Sequence, residues 1–254
     1  MKAFAAFTKK EFTESLRTHR LIILIAVFLL LGIMNPLIAK MMPEILNSVA
    51  DTGIVFNMPE PTAMDAWAQF FSNVGQMGML ALIITFCGIT ANELSRGTLV
   101  NLLTKGMKRH TVIASKFLTA SLLWTGSYLL CLAVSYAYTE YFWPASALSN
   151  VFLTFFSLWL FGEFLIAMLI FGGVLFKNFY GSLLTCFGVI ITLNVLNIVP
   201  AVQKYNPIIL SGDVLNLLNA QKERVDYIPA VIICAAAAVV LIAASVIVFN
   251  KKQV

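Results

Sequence analysis

Glu163 is an ionisable residue deep within an apolar stretch of this sequence, near the middle of the run 151–176. An ionisable side chain at such a depth is energetically costly and is by default a functional candidate. Because the run contains no Lys or Arg, the carboxyl should be neutral or face a hydrated cavity. Asn194 and Asn197, three residues apart on one helical face, are candidate hydrogen-bond partners. Glu163 then either lies on a polar route across a membrane or, when protonated, holds two helices together.

A second group of polar residues follows another apolar run and begins at Glu93. Gly97 can adopt the left-handed conformation that ends a helix. Residues 98–104 carry leucines on one side of a further short helix, which predicts a rigid element between two long helices. Such an element can transmit a push from a partner to both neighbours, whereas an ordinary loop would not need an apolar side. The range 93–116 is therefore predicted to be a cytoplasmic coupling segment.

Residues 1–20 predict an amphipathic helix, with basic side chains opposite an apolar arc formed by Phe4, Phe7, Phe12 and Leu16. A basic amphipathic helix of this kind lies along the inner membrane surface before the chain enters the membrane. Glu11 falls inside the apolar arc, which suits contact with a protein partner better than contact with lipid. A plain anchor for the first long helix is the alternative.

The elements that position these residues are long apolar helices. The chain has 254 residues, of which 60% are apolar and 11% charged, whereas a soluble domain has about 25% charged residues. A stretch of about 20 apolar residues crosses the hydrocarbon core as a helix. Six such spans are predicted, at 21–39, 70–92, 111–138, 151–176, 180–199 and 228–249, followed by a tail at 250–254. The sequence therefore indicates an all-α membrane protein and excludes a water-soluble enzyme.

The orientation follows from the basic residues, which tend to remain on the cytoplasmic side of a membrane. With the N-terminus inside, thirteen of the 17 Lys and Arg residues lie inside. The acidic residues of the long outer loops show the opposite distribution. Both termini are therefore predicted to be cytoplasmic, and the net charge of +5 indicates topology and membrane lipid rather than a nucleic-acid partner.

The sequence contains no Gly-x-x-x-x-Gly-Lys-Ser/Thr loop that could cradle nucleotide phosphates. Any ATP must therefore be handled by another chain. His19 and His110 stand alone in basic segments, without a second ligand of suitable type nearby. We therefore expect no metal site, because a metal centre needs several converging ligands.

The segment after the second span resembles a known family. Its pattern is Glu93, three residues, Gly97-Thr98-Leu99, the pair Leu102-Leu103, Arg109 and Lys116. This pattern is similar to the one that follows the second span in permease subunits of type-2 ABC exporters. The N-terminal Lys9-Lys10-Glu11-Phe12 segment resembles the interfacial elbow helix of that family, and Asn206-Pro207 before the last span is also similar. Gly106 departs from the pattern, because the family often has proline in that stretch.

The resemblance implies a non-catalytic permease subunit in a bacterial plasma membrane. It would pair with a second permease, identical or related, and with two cytoplasmic ATP-binding subunits that hold the ATP and magnesium; this chain itself would carry no cofactor. The surface for the ATPase would include Glu11, Glu93, Arg96, Gly97, Thr98, Arg109 and Lys116. Glu163, Asn194 and Asn197 are candidate residues of the transport path. The expected cargo is hydrophobic or amphipathic, such as a drug, peptide or lipid.

Two alternatives from other classes remain at this point. A proton-coupled secondary transporter would use Glu163 as its proton carrier, although the sequence shows no pair of interrupted, mirrored spans. A membrane scaffold without transport activity would not need a coupling segment. On the transport-path hypothesis, Glu163→Gln should lower transport and leave assembly intact.

Overall fold

A computed structural model describes residues 2–49, 60–95, 97–99, 104, 106–144, 150–218 and 224–252. Within these ranges the secondary structure is helical, without β-strands. Six helical segments of the described chain are long and apolar enough to cross a membrane. The prediction of an all-α membrane protein with six transmembrane helices is thereby confirmed.

The chain begins with two helices that meet at a sharp turn. Helix α1, Lys2–Arg17, corresponds to the predicted amphipathic helix. Helix α2, Arg20–Val49, contains the first span. His19 between them has a left-handed backbone, with φ of 60°. This conformation breaks the helical path, so α1 and α2 are separate elements rather than one continuous helix.

The second span, Ala63–Ser95, is irregular. It consists of α3 (Ala63–Asn73), a π-helical turn (Val74–Gly78), α4 (Met79–Phe86) and α5 (Gly88–Ser95). The helix begins seven residues before the predicted limit at residue 70, because the backbone N–H and hydroxyl of Thr62 both donate to the Asp65 carboxylate at 2.8 Å. The π-helical turn is notable because such turns occur frequently at functional sites.

The third and fourth spans are long, continuous helices, α6 (Arg109–Phe142) and α7 (Val151–Phe176). Helix α7 is the centre of the bundle, because 83% of its apolar stretch is buried, against 39% for α6. Gly162 permits this packing: a Cβ atom there would lie 2.6 Å from the indole nitrogen of Trp124. That nitrogen donates to the backbone oxygen of Trp159 at 3.0 Å, so the two helices are also joined by a buried hydrogen bond.

Helix α8, Phe179–Leu196, forms the fifth span. Three short helices follow it, α9 (Pro200–Gln203), α10 (Ile209–Gly212) and α11 (Val214–Leu218), and the last span is α12 (Arg224–Lys251). In α8 and α12 only 17% of the apolar stretch is buried within this chain. Most of the surface of these two spans is therefore available to lipid or to another membrane protein.

Contacts at one end of the bundle show that both chain ends lie on the same side. The Lys252 ammonium, just after α12, donates to the backbone oxygen of Val174 near the end of α7, at 2.8 Å. Helix α1 contacts Glu93 at the end of the second span. This arrangement agrees with an even number of crossings. The assignment of that side to the cytoplasm stays a prediction from the charge distribution.

Candidate coupling site and membrane cavities

Five charged side chains from three helices meet at this end of the bundle. Helix α1 contributes Lys10, Glu11 and Glu14, the second span contributes Glu93, and α6 contributes Lys116. We call this group the charge cluster. It joins the N-terminal helix to the last turn of the second span and to the first turns of the third.

Lys116 is the buried centre of the charge cluster, with 1% of its side chain exposed. Its ammonium donates to both carboxylate oxygens of Glu11 at 3.0 Å and lies 2.5 Å from the Glu93 carboxylate. Glu11 is 2% exposed. A buried charge without a partner is strongly destabilising, whereas here each charge has an opposite charge in contact. Loss of Lys116 would therefore affect both carboxylates together.

Lys10 is the partly exposed second cation of the charge cluster. Its ammonium lies 3.0 Å from Glu11 and 2.6 Å from Glu14, and it also donates to Glu93. Partial burial lowers the pKa of Lys10, but the hydrogen bonds to Glu14 and Glu93 and the charge of Glu11 outweigh this effect and raise the pKa above its ordinary value. Lys10 therefore stays protonated at physiological pH and keeps the contact between α1 and the second span.

The burial of α1 differs from the predicted apolar arc. The side chains that pack inward are Phe7, Glu11 and Ser15, four residues apart on one face. Phe12 and Leu16 are 41% and 42% exposed. The physical reason is that α6 offers polar partners to α1. Glu11, which suggested a protein partner, is bonded within the chain.

The carboxylates of Glu11, Glu14 and Glu93 come within 4.8 Å of one another, a spacing that could also hold a metal ion. Two ammonium groups, those of Lys10 and Lys116, already contact these oxygens. The charges of the carboxylates are thus largely compensated by the protein's own cations. We assign the cluster to helix attachment rather than to metal binding.

The turn after the second span agrees with the sequence prediction at Gly97, whereas Thr98 and Leu99, placed in the predicted short helix, belong to the turn. Gly97 has φ of 66°, the left-handed conformation expected for the end of a helix. The N–H and the hydroxyl of Thr98 both donate to the backbone oxygen of Glu93 at 3.2 Å. Arg96 and most of the predicted helix 98–104 lie outside the described residues. Gly106, where the family often has proline, has φ of 85°.

Arg109 lies apart from the charge cluster. Its guanidinium donates to the backbone oxygens of Phe249, Asn250 (3.1 Å) and Lys252 (2.7 Å). The last carbonyl groups of a helix lack the regular intrahelical partners, and a cation there is favourable. The structure therefore places Arg109 as a clamp between the first turn of α6 and the last turn of α12.

A cavity of about 550 Å³ opens beside the other half of the second span. The second span lines it through Ala68, Phe71, Ser72, Gly75, Gln76, Met79, Leu80 and Ile83, and the opposite walls include Phe161, Leu165, Phe187, Ile190, Asn194 and Ser211. The π-helical turn is part of the wall. The lining is mainly apolar, with a few neutral polar groups, and none of the described residues in it is ionisable.

A second, more polar cavity of about 600 Å³ adjoins the first, because Asn194, Ile208 and Gly212 line both. Asn197 lines the second cavity, together with Asp226. Two of the three predicted path residues, Asn194 and Asn197, are thus brought together at connected cavities. We call these the membrane cavity and the outer cavity.

Glu163 is separate from both cavities. Its side chain is turned towards α6, where the Ser121 hydroxyl donates to Glu163 Oε1 at 2.7 Å. Phe161 and Leu165, two residues away on either side, line the membrane cavity, and residues two apart point in nearly opposite directions on a helix. Asn194 is not its partner, since the Asn194 amide donates to the backbone oxygen of Ile190 at 2.9 Å.

Sequence reasoning missed two features. Lys10 and Glu14 were not among the predicted site residues, although opposite charges four residues apart on a helix favour pairing. Asn73 donates to the fully buried Asn35 at 2.8 Å, just before the π-helical turn. Polar amides within two apolar runs were a detectable signal for such a bond, since polar groups in membranes seek partners on other helices.

The geometry thus defines a polytopic helical membrane protein with an N-terminal helix attached by ion pairs and a cavity beside its second span. Comparison with known proteins gives the family. Residues 5–254 match the family model described as ABC-2 family transporter protein, and the chain belongs to this family. It is also 24% identical, over 153 residues, to the uncharacterized transmembrane protein YxlG of Bacillus subtilis (strain 168). That match spans 59% of this chain and 59% of the relative's length. Membership in a family of transporter proteins agrees with the six helices that are long and apolar enough to cross a membrane.

Proposed function

We propose that this chain is the permease subunit of an ATP-driven exporter, with ATP and magnesium bound and hydrolysed on a separate subunit. Family membership over nearly the whole chain supports the proposal. The observation that carries the mechanism is the layout of the second span, which holds Glu93 of the charge cluster near one end and lines the membrane cavity nearer the other.

The charge cluster would act as the point at which force enters the bundle. A partner that pushes on the coupling segment 93–116 would move α1, α5 and the start of α6 as one body, because buried ion pairs hold them together. The second span would carry that displacement to the wall of the membrane cavity. Glu11, Glu93 and Lys116 would keep this unit rigid, while Gly97, Thr98 and the segment that follows would present the docking surface.

The lining of the membrane cavity supports a hydrophobic or amphipathic cargo. Apolar and aromatic side chains form most of its wall, while Ser72, Gln76 and Asn194 provide neutral hydrogen-bonding groups. A charged cargo would have to leave water without an opposite charge in this wall, which is unfavourable. We therefore propose an exported drug-like, lipid-like or peptide compound with a large apolar surface.

The assembly that we propose contains a second permease and two ATP-binding subunits. The weakly buried spans α8 and α12 provide apolar surface that can contact a second permease. A proton-coupled transporter that uses Glu163 is less well supported, because Glu163 lines neither cavity. Its role in the transport path stays a prediction.

The test is to purify the tagged chain in mild detergent and to identify its partners by mass spectrometry. We expect a stoichiometric ATP-binding protein, and ATP-dependent export once the complex is placed in vesicles. Glu93→Gln should weaken this association or uncouple ATP hydrolysis from export. Lys9→Gln is the matched control, since Lys9 is an exposed charge of α1 outside the charge cluster.

A chain that purifies without an ATP-binding protein and transports in response to a proton gradient would overturn the proposal. Glu163→Gln would then be the next variant to examine. If the chain binds the ATPase but its deletion leaves transport unaffected, the chain would instead be a scaffold.

A further inference from the structure

A pocket of about 390 Å³ lies where the α1–α2 corner meets the end of the second span. Its walls include Lys10, Glu14, Thr18 and Arg20 from the N-terminal region, and Gly88, Asn92, Glu93 and Thr98 from the second span and the turn after it. We call it the corner pocket. It shares Lys10, Glu14 and Glu93 with the charge cluster, and residues outside the cluster form its other walls.

Two hydrogen-bond donors in the corner pocket are unused within the described chain. The partly buried Arg20 guanidinium and the Asn92 side-chain amide have no hydrogen bond or ion pair with any described residue. Gly88 is what lets the Asn92 amide lie over the backbone, because a Cβ atom at Gly88 would come within 2.5 Å of the Asn92 amide nitrogen. A guanidinium and an amide that face one pocket suit the oxygen atoms of a phosphodiester.

The opposite side of the corner pocket has an excess of negative charge. The charge cluster contains three carboxylates and two ammonium groups, which leaves one negative charge in excess. Glu14 is its most accessible carboxylate, 33% exposed, and lies 2.6 Å from the Lys10 ammonium. A carboxylate accepts several hydrogen bonds, so Glu14 can still accept from a second cation. The pocket therefore offers a site for an anion beside a site for an ammonium group.

The surface that leads away from the corner pocket into the membrane is apolar. Ile84 and Leu80 precede Gly88 by four and eight residues, so they form a stripe that leads from the corner pocket along the second span and reaches the wall of the membrane cavity at Leu80. Leu80 and Ile84 are 44% and 64% exposed. Ile23, one turn after Arg20 on α2, is 49% exposed. An occupant with a charged head in the pocket could thus lay hydrocarbon chains along this surface.

We propose that the corner pocket binds a phospholipid whose headgroup carries both a phosphodiester and a primary ammonium, such as phosphatidylethanolamine. Arg20 and Asn92 hold the phosphate oxygens, the ammonium donates to Glu14, and the acyl chains follow the stripe through Ile84 and Leu80. The bound lipid fills the space between the α1–α2 corner and the second span, so it supports the position of α1 from the membrane side.

The experiment is native mass spectrometry of the full chain with three phospholipids that share the same acyl chains. Phosphatidylethanolamine offers both groups, phosphatidylcholine offers an ammonium without N–H donors, and phosphatidylglycerol offers a phosphate without an ammonium. We expect phosphatidylethanolamine to remain bound most strongly. Arg20→Gln should weaken its binding about tenfold, the loss expected for one charge-assisted contact.

Matched variants separate the two halves of the pocket. Arg17→Gln is the control, because Arg17 is an exposed cation one turn earlier that lies outside the corner pocket. Glu14→Gln should reduce the preference for phosphatidylethanolamine over phosphatidylglycerol. Arg20→Lys and Asn92→Leu test the phosphate side again if Arg20→Gln does not give a monodisperse protein.

Equal binding of phosphatidylglycerol and phosphatidylethanolamine to the wild-type chain would overturn the proposal. So would unchanged phosphatidylethanolamine binding after the loss of the Arg20 guanidinium or the Asn92 amide. These results do not depend on the presence of an ATP-binding subunit, so they leave the proposed transport function to be judged separately.

Discussion

The two halves of the second span differ in the polar side chains that surround them. Near Ser95, Glu93 meets the ammonium groups of Lys10 and Lys116, and charges fill the space between helices. Nearer Ala63, the span borders a cavity of about 550 Å³ whose wall, in the described part of the chain, has neutral polar groups and no ionisable side chain. The half near Ser95 is packed against its neighbours through ion pairs, whereas the half near Ala63 borders an open cavity.

This contrast teaches how one helix can serve both force transmission and cargo passage. Buried ion pairs hold a fixed geometry, because separation of the charges leaves each of them unpaired in a poor solvent. A cavity beside a π-helical turn can change shape at lower cost, because no such pair must break. We therefore expect variants in the charged half to affect assembly and coupling, and variants in the open half to affect cargo alone.

Lys116→Met should have the largest effect. It removes the central cation from two carboxylates, of which Glu11 is almost fully buried, and the loss of one partner of a buried ion pair costs about 3–5 kcal/mol. We expect a lower thermal unfolding temperature and a loss of coupling between ATP hydrolysis and export. The double variant Lys116→Met with Glu11→Gln should recover part of the stability, because it also removes the buried carboxylate, which would otherwise keep only the partly exposed Lys10 as its cation. A single variant as stable as the wild type would contradict the importance of the buried pair.

Ser72→Trp tests the half of the second span that lines the membrane cavity. Ser72 lines the membrane cavity, and a bulky ring there would occupy part of its volume. We expect a strong reduction of export at unchanged protein stability and ATPase binding, measured in vesicles and by copurification. Met77→Trp is the control, because Met77 lies on the π-helical turn, is 61% exposed and does not line the cavity. Equal losses in both variants would argue against the cavity as the route.

Arg109→Gln should have a moderate effect. It removes the clamp on the last carbonyl groups of α12, an interaction of a cation with a helix end that is worth about 0.3–2 kcal/mol. We expect faster hydrogen exchange at the end of α12 and a small decrease of the unfolding temperature. Arg109→Lys should retain part of the interaction. Loss of ATPase binding without any change at α12 would show that Arg109 acts at the docking surface instead.

Glu163→Gln should have the smallest effect. A glutamine can keep an oxygen as acceptor for the Ser121 hydroxyl, and Glu163 lines neither cavity. We expect near-normal export and assembly, which would favour the helix-joining role over the transport-path role. Glu163→Leu should lower stability more, since it leaves Ser121 without its partner. A large loss of export in Glu163→Gln, with assembly intact, would restore the path hypothesis.

The sequence contained enough to predict the long helices, because apolar runs of membrane length leave few alternatives. It also placed Gly97 at a helix end and Glu93 and Lys116 in a common functional region. It could not show that Lys116 is buried beneath α1, since Glu11 is distant in sequence and its position in an apolar arc suggested an external partner. The direction of Glu163 was likewise hidden, because a residue's depth in a span does not reveal which side of the helix faces a cavity.

The clamp formed by Arg109 has a consequence for the synthesis of the protein. Arg109 begins the third span, yet its carbonyl partners belong to the last residues of the sixth. During translation the ribosome must therefore complete the sixth span before this guanidinium reaches its native partners. A nascent or truncated chain would expose an unsatisfied cation and a frayed sixth span at the same place. The clamp thus forms only after the sixth span has been made, and it then joins the third span to the sixth.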